Sequence, residues 1–425
     1  SHMSIRSASL LLALMGLVPL SVHAQTTEGG APSSLTPPPA ETTPPPSETV
    51  PSAPAPAAET AAPAETSAPA LEPAPAVVAP EPAPAAPPAE AAPEFPKKLP
   101  VGTSGFFQPG ILLQGWFDVQ RADETTANFR IRRAEIHAKG EIIPGLVSYA
   151  VMIDPAKALE FANTPIAFGE DMVNVKQPVG SSSIFQDFFI TFQSAFLDAS
   201  IGQFKIPVSY EGYNSSSKLL FAERAPVSRQ YGDKRDIGLR LAKTFEMFGY
   251  SAGIFNGAGQ NNIDNDTGKD LALRLELYPV KGLLIGGVIY STVGQRDQAG
   301  AKDRYEGDLR VELGHFLFQG EFIHGKDVGA MGAETEGNGF YAALAYGFLD
   351  GTLQPAVRVG YLDTDASKDL DPAKSAGQDE LFNVDVGLTY YLRKQEAKVL
   401  LNYYRFEYED KTPNNQIILS AQVSY

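Results

Sequence analysis

The chain has 425 residues, a formal net charge of −16 and no cysteine. The absence of cysteine excludes disulfides, thiolate metal sites and thiol nucleophiles. The acidic balance argues against non-specific binding to nucleic acid, and residues 98–425 alone carry 32 Lys and Arg against 41 Asp and Glu.

The first 24 residues have the pattern of a segment that is removed from the mature protein. Ser1-His2-Met3 resembles a cloning remnant, and Arg6 precedes a short apolar run, Leu10–Val18. A small-residue site at Ala24 follows, so we expect a secretory signal peptide that is cleaved there. The apolar run is too short for a spanning helix, which needs about 20 apolar residues.

The next segment, 25–97, has a composition of its own. It holds 21 of the 34 prolines, its acidic residues are nine Glu, and Phe95 is its one aromatic residue. Such a segment cannot bury enough apolar surface to offset the entropy of ordering. We expect a disordered, Pro/Ala/Glu-rich periplasmic arm, which either contacts the cell wall through residues 25–96 or is a passive leader.

From Gly105 to the last residue, apolar and polar residues alternate in segments of about ten residues. Segment 270–278 is the clearest case, with four leucines on one face and charged residues on the other. Segments 383–390 and 417–425 repeat the pattern. An aliphatic face on one side and a charged face on the other fit a barrel with lipid outside and water inside.

Sixteen such segments are predicted as strands, and the connections between them alternate in length. The candidates are 106–120, 129–141, 146–154, 184–194, 197–207, 235–244, 248–256, 270–278, 283–291, 304–314, 316–324, 339–348, 353–362, 381–392, 396–408 and 415–425. Connections after even-numbered strands are short, whereas those after odd-numbered strands are mostly long and polar: 155–183, 208–234, 257–269, 292–303, 325–338, 363–380 and 409–414. A soluble β-sandwich would not produce this alternation. Residues 98–425 are therefore predicted to form an all-β, 16-stranded antiparallel transmembrane β-barrel in the cell outer membrane.

Motifs for catalysis or metal binding are weak. The histidines beyond the N-terminal segment are His137, His315 and His324, which lack metal-ligand spacing, and a Gly-x-Ser-x-Gly elbow is missing. Residues 264–268 faintly resemble a calcium loop, but the later Glu and the flanking helices are missing. We expect a protein that is not an enzyme and has no cofactor and no metal site.

A basic stretch opens the second predicted strand. With Phe129 and Ile131 facing outward, Arg130 and Arg132 point into the lumen. From Ala134 onward the alternation changes face, which predicts a β-bulge near Arg133. Lys139 would then line the water as well.

The second basic cluster lies in Val208–Lys234, the loop after the fifth predicted strand. Counting the connection after each odd-numbered strand, it is the third loop on the long-loop side. It carries Lys218, Arg224 and Arg229, and the strand after it carries Arg235 and Arg240. A loop of this length and mixed character can fold back into the barrel, where Arg and Lys favour anions. The alternative is an ordinary extracellular loop with solvated charges.

Four stretches of the sequence, in the order in which they occur, resemble the phosphate-selective porin O and P family. They are Phe129-Arg-Ile-Arg-Arg-Ala-Glu135, Gly202-Gln-Phe-Lys-Ile-Pro207, Ser216-Ser217-Lys218 through Phe221-Ala-Glu-Arg224, and Arg235-Asp-Ile-Gly-Leu239. The resemblance implies a homotrimeric porin whose third loop lies inside the pore, and passive diffusion of small ions. The chain differs from this family in having acidic residues at positions that would line the lumen, namely Asp187, Asp270, Glu276, Asp308, Glu312 and Asp385. A weakly selective channel is equally compatible with this pattern.

The sequence thus predicts an outer-membrane porin for small ions or solutes, with a preference for anions or phosphate. The candidate pore-lining and anion-binding residues are Arg130, Arg132, Lys139, Lys218, Arg224, Arg229, Arg235 and Arg240. Expected partners are outer-membrane lipid, two further copies of the chain and small inorganic ions, but no nucleic acid. The alternative function is structural, with the Pro/Ala arm tethering or spacing the outer membrane relative to the cell wall.

Overall fold

The computed structural model describes residues 98–102, 104–159, 161–168, 171–178, 181–264, 266–295, 298–329, 332–366, 379–409 and 412–425. The predicted signal peptide and arm lie outside these residues. Within them, the strands are β1 Leu99–Val101, β2 Gly105–Arg121, β3 Thr125–Ile143, β4 Val147–Ile153, β5 Phe161–Phe168, β6 Asp171–Pro178, β7 Phe185–Gln193, β8 Asp198–Lys205, β9 Arg235–Thr244, β10 Phe248–Phe255, β11 Lys269–Leu277, β12 Leu283–Val293, β13 Lys302–Leu313, β14 Phe316–Val328, β15 Glu334–Tyr346, β16 Leu353–Asp363, β17 Glu380–Arg393, β18 Ala397–Tyr408 and β19 Asn414–Ser424.

Sixteen of these strands form a closed antiparallel barrel, as the alternation predicts. Each strand pairs with the next, and β19 returns to pair with β2, for example through Leu419 opposite Phe117. Strands β5 and β6 form a separate hairpin in the second long loop, and β1 pairs only with the beginning of β2. Closure leaves the wall without an unpaired edge strand, which a wall facing lipid requires.

The two ends of the barrel differ as expected. Connections at one end, called here the short-turn rim, are brief, such as residues 144–146 between β3 and β4 and residues 245–247 between β9 and β10. The opposite end, the long-loop rim, carries segments such as 206–234 and 256–268. The predicted loop 325–338 is longer than the loop in the structure, because β14 and β15 continue to pair up to Val328 and Glu334. The charged residues at these ends of β14 and β15 extend the strand pairing beyond the apolar band of the outer wall.

The outward and inward faces follow the predicted alternation. On β11, Leu271, Leu273, Leu275 and Leu277 are between 42% and 53% exposed on the outer wall, whereas Asp270 and Arg274 are buried inside. The same alternation holds on β17, where Val386 and Leu388 face outward and Asp385 faces inward. Among the described residues, no helix is long and apolar enough to cross a membrane.

The β-bulge predicted near Arg133 is present one residue earlier. Gln114 pairs with Arg133, but its neighbour Gly115 pairs with Ile131, so Arg132 is the extra residue of β3. Because of the bulge, Arg132 and Arg133 both lie inside, each 3% exposed, although they are adjacent in sequence. Ile131 and Ile136 on either side remain outward.

A pair of substitutions tests the position of the membrane band. Leu273→Arg, at the middle of β11, should lower the free energy of unfolding by about 2–4 kcal/mol, because it places a cation in hydrocarbon. Leu277→Arg, on the same face at the short-turn rim, should cost about 0–1 kcal/mol. Denaturant titration in lipid vesicles measures both, and equal costs would contradict the assigned band.

Candidate functional site

The third long loop lies inside the barrel, as predicted. We call residues 206–234 loop 3. The neck of the loop is closed by a hydrogen bond of 3.0 Å from the Ile206 N–H to the Lys234 carbonyl. Two short helices, Tyr210–Tyr213 and Pro226–Tyr231, and a 3₁₀ turn, Ser216–Lys218, make up most of its regular structure. Its residues contact inward side chains of strands on both sides of the lumen, so the loop spans the channel.

Apolar packing holds loop 3 against one wall. Phe221, Val227 and Tyr231 are 1–3% exposed and belong to one core with inward residues of the barrel such as Tyr341 and Tyr404. Glycines in the wall make room for them. A Cβ at Gly325 would lie 2.5 Å from the Tyr231 ring, and one at Gly339 would lie 2.7 Å from Val227.

Arg358 of β16 is a central polar anchor of the loop. Its Nε donates to Asp385 at 2.6 Å, and its Nη1 lies 3.3 Å from the Glu211 carboxylate. Its Nη2 donates to the Glu223 carbonyl at 3.2 Å, and the guanidinium lies over the Phe221 ring at 4.5 Å. The side chain is 1% exposed, so its partners must satisfy it in place of water.

Glu321 of β14 accepts two hydrogen bonds from loop 3. One comes from the Glu211 N–H at 3.1 Å and the other from the Ser228 hydroxyl at 3.1 Å. On β18, Asn402 accepts from the Ala222 N–H at 2.8 Å, and the Lys398 ammonium donates to the Leu219 carbonyl at 3.1 Å. Loop 3 is therefore tied to several strands through its own backbone.

The bulge of β3 meets the loop at Glu223. The Arg132 Nη2 lies 2.7 Å from one oxygen of this carboxylate, and the Arg133 Nη2 lies 3.4 Å from the other. Arg229 approaches it at 3.8 Å. Burial alone would raise the pKa of Glu223, but these arginines hold that pKa well below its usual range.

A second carboxylate, Asp233, organises the base of the loop. Lys205 lies 2.9 Å from it, Arg224 lies 3.2 Å from it and Arg229 lies 3.1 Å from it. Burial opposes ionisation, yet the three cations lower the pKa of Asp233. A depressed pKa gives stability that is present above the ordinary carboxyl pKa and is lost only as the pH falls through the depressed value. Loop 3 therefore stays anchored in mildly acidic solution.

The candidate basic residues divide into two groups. Arg132, Arg224 and Arg235 are buried and paired with carboxylates, Arg235 with Asp187 at 2.8 Å. Arg240 is half-buried and donates to the Tyr213 hydroxyl at 2.9 Å.

The other candidates are open to the water. Arg130, Lys139 and Lys218 are exposed, and the Arg229 side chain is 41% exposed. The Arg130 guanidinium lies 5.0 Å from the Trp116 ring, which faces inward.

The predicted lumen carboxylates all have a cationic partner within 4 Å. Asp187 pairs with Arg235, Asp270 with Lys302, Glu276 and Asp308 with Arg274, Glu312 with Arg310, and Asp385 with Arg358. Arg274 also contacts Glu306 at 3.1 Å, and this cluster is buried. Each predicted acidic residue of the lumen therefore has a cation beside it, but the single Arg274 serves three carboxylates.

The partial calcium loop contains a cation of its own. The Lys269 ammonium lies 2.6 Å from the Asp264 carboxylate; Asn265 lies outside the described residues. Among the described residues, no group of three or more His, Cys, Asp or Glu side chains could hold a metal ion.

Sequence reasoning missed Arg133, Lys205 and Arg358 as parts of the site. Arg358 could have been found, because it is an inward charge between the outward Val357 and Val359. Its pairing with Glu211 and Asp385 could not have been predicted, because these residues lie 147 and 27 residues away in sequence.

Comparison with known proteins relates part of this barrel to a family of porins. Residues 113–288 match the family model of phosphate-selective porin O and P. The resemblance that the sequence predicted is thus confirmed over that part of the chain. The comparison with curated proteins found no match.

Solved structures with a similar fold are porins and outer-membrane channels. The outer membrane channel DcaP of Acinetobacter baumannii has a TM-score of 0.53 at 10% identity, covering 76% of this chain and 97% of that chain. An anion-selective porin from Comamonas acidovorans has a TM-score of 0.51 at 11% identity, covering 76% and 100%. OmpT of Vibrio cholerae, in a trimer form, has a TM-score of 0.50 at 10% identity, covering 76% and 99%. The porin-like chain is an outer-membrane protein with the fold of a channel.

Glu223→Gln tests the anchor of loop 3. The change leaves Arg132, Arg133 and Arg229 without the carboxylate they share, so we expect a loss of about 1.5–3 kcal/mol in the free energy of unfolding. Open-channel current noise in planar bilayers should rise, because the loop would move in the lumen. Glu407→Gln, which breaks an exposed pair with Arg405, is the matched control and should change neither quantity. Unchanged noise and stability in Glu223→Gln would contradict the anchoring role.

Proposed function

We propose that this porin-like barrel conducts small ions passively and prefers anions, phosphate among them. The observation that carries the proposal is the charge balance between loop 3 and the adjoining ends of β3 and β8. Five cations, Arg132, Arg133, Lys205, Arg224 and Arg229, share three carboxylates, Glu135, Glu223 and Asp233. The excess is positive, and a positive constriction favours anions through its field.

The exposed basic residues support the same proposal. Arg130, Lys139, Lys218 and Arg229 keep their side chains accessible to water, whereas Arg132 and Arg224 are paired with carboxylates of the loop and Arg235 is paired with Asp187 of the wall. We infer that the first group meets the permeating ion and that the second shapes the constriction. Guanidinium groups add fork-like hydrogen bonding to oxyanions, so phosphate would gain more than chloride from Arg229.

Assembly and domain organisation are part of the proposal. We propose a homotrimer, as in the trimer form of the similar OmpT. Residues 1–24 would be the tag remnant and signal peptide, 25–97 the arm and 98–425 the barrel. The arm would be periplasmic and would reach the cell wall through residues 25–96, because β2 begins at the short-turn rim and that rim faces the periplasm in barrels of this kind.

Reversal potentials in a KCl gradient and in a phosphate gradient test the selectivity. A charge 6 Å from a permeating ion in water contributes about 0.7 kcal/mol. Loss of the charge disfavours an anion and favours a cation by this amount, so each of Lys139→Gln, Lys218→Gln and Arg229→Gln should lower the anion-to-cation permeability ratio by about tenfold. Arg405→Gln, at the exposed Glu407 pair, is the control and should have no effect. A cation-selective wild-type channel would overturn the anion preference.

A further inference from the structure

An apolar groove lies on the outer wall of the barrel near the long-loop rim. Its volume is about 540 Å³, which is in the range of ligand pockets. Phe185, Phe188, Ile237 and Ile263 contribute apolar surface, with the amides of Asn261 and Asn262 at one side. The lining residues carry no charge, so the groove does not suit an ion or another strongly polar solute.

Hydrogen bonds hold the roof of this groove in place. The segment between β10 and β11, residues 256–268, reaches back across β9 and β8 to β7. The Asn261 N–H donates to the Gln203 Oε1 at 2.7 Å, and the Gln203 amide returns a bond of 2.9 Å to the Asn261 Oδ1. The Asn261 amide also donates to the Phe185 carbonyl at 3.0 Å. The groove is thus already formed in the isolated chain.

The groove continues the lipid-facing surface of the barrel. Ile237 is followed on the same face of β9 by Leu239 and Leu241, and Ile201 and Ile190 extend this surface on β8 and β7. These five side chains are between 36% and 57% exposed. An acyl chain lying against them reaches the groove without crossing a polar boundary.

Ile263 marks the open edge of the groove. Its side chain is 90% exposed, although its neighbours in the loop are glycines, amides and acidic residues. A large aliphatic side chain at such a position is costly in water and is stabilised by contact with hydrocarbon.

We propose that this groove binds one acyl chain of a lipid of the surrounding leaflet and fixes that lipid at the long-loop rim. The amides of Asn261 and Asn262, which also line the groove, would meet the polar linkage of that lipid. The inference depends on the outer-membrane location of the barrel and does not depend on its ion selectivity.

Fluorescence quenching identifies the occupant. Because the chain has no cysteine, bimane can be attached at Ile263→Cys, at Leu275→Cys on the lipid-facing wall and at Lys281→Cys in a short turn. The barrels are placed in vesicles of phosphatidylcholine with brominated acyl chains. We expect quenching at position 263 to equal or exceed that at position 275. Quenching of position 263 by aqueous iodide, as at position 281, would overturn the proposal. Protection of position 263 from both quenchers would also overturn it and would indicate a second copy over the groove.

Lipid retention separates a binding groove from general contact with the bilayer. The full chain, extracted from phosphatidylcholine vesicles into detergent, should carry one more phospholipid per chain by native mass spectrometry than Ile263→Asp does. Ile263→Leu is the matched control and should retain the lipid. Equal retention in all three proteins would overturn the proposal. Reversal potentials of the same samples report the ion selectivity independently.

Discussion

The contact of Glu223 with Arg132, Arg133 and Arg229 is the interaction on which the interior of this barrel depends. It joins the far side of loop 3 to the strand that carries the bulge. Because the bulge directs two adjacent arginines inward, one carboxylate can meet both. The bulge, a local irregularity of backbone pairing, thereby provides the point at which β3 holds the loop.

The same wall meets two opposite demands. Its outer face must be apolar and its backbone fully paired, because lipid offers no hydrogen bonds. Its inner face carries many charges, and the predicted inward carboxylates have cationic partners within 4 Å. Pairing therefore places a cation beside each of these carboxylates. A net charge of −16 for the chain thus says little about what the channel attracts.

Features that depend on local pattern could be predicted from the sequence, and those that depend on distant contacts could not. The alternation of Leu271 to Leu277 determined which face of β11 meets lipid, and the change of face at Ala134 revealed the bulge. The ends of β14 and β15 were missed, because charged residues above the membrane still pair. That Arg224 serves the loop and Arg229 faces water follows only from the packing around Asp233.

Loop 3 has two kinds of attachment, and they imply different roles for two of its segments. The segment from Leu219 to Ala225 is buried and bound through its backbone to Asn402, Lys398 and Arg358, so its position is fixed by many weak bonds at once. The Arg229 helix is held by carboxylates and presents its guanidinium to water. A rigid segment that supports an exposed cation is what selectivity requires, because a charge that moved with the ion would lose part of its discrimination. Under the proposed selectivity, the buried arginines would act on permeating ions through the position that they give to Arg229.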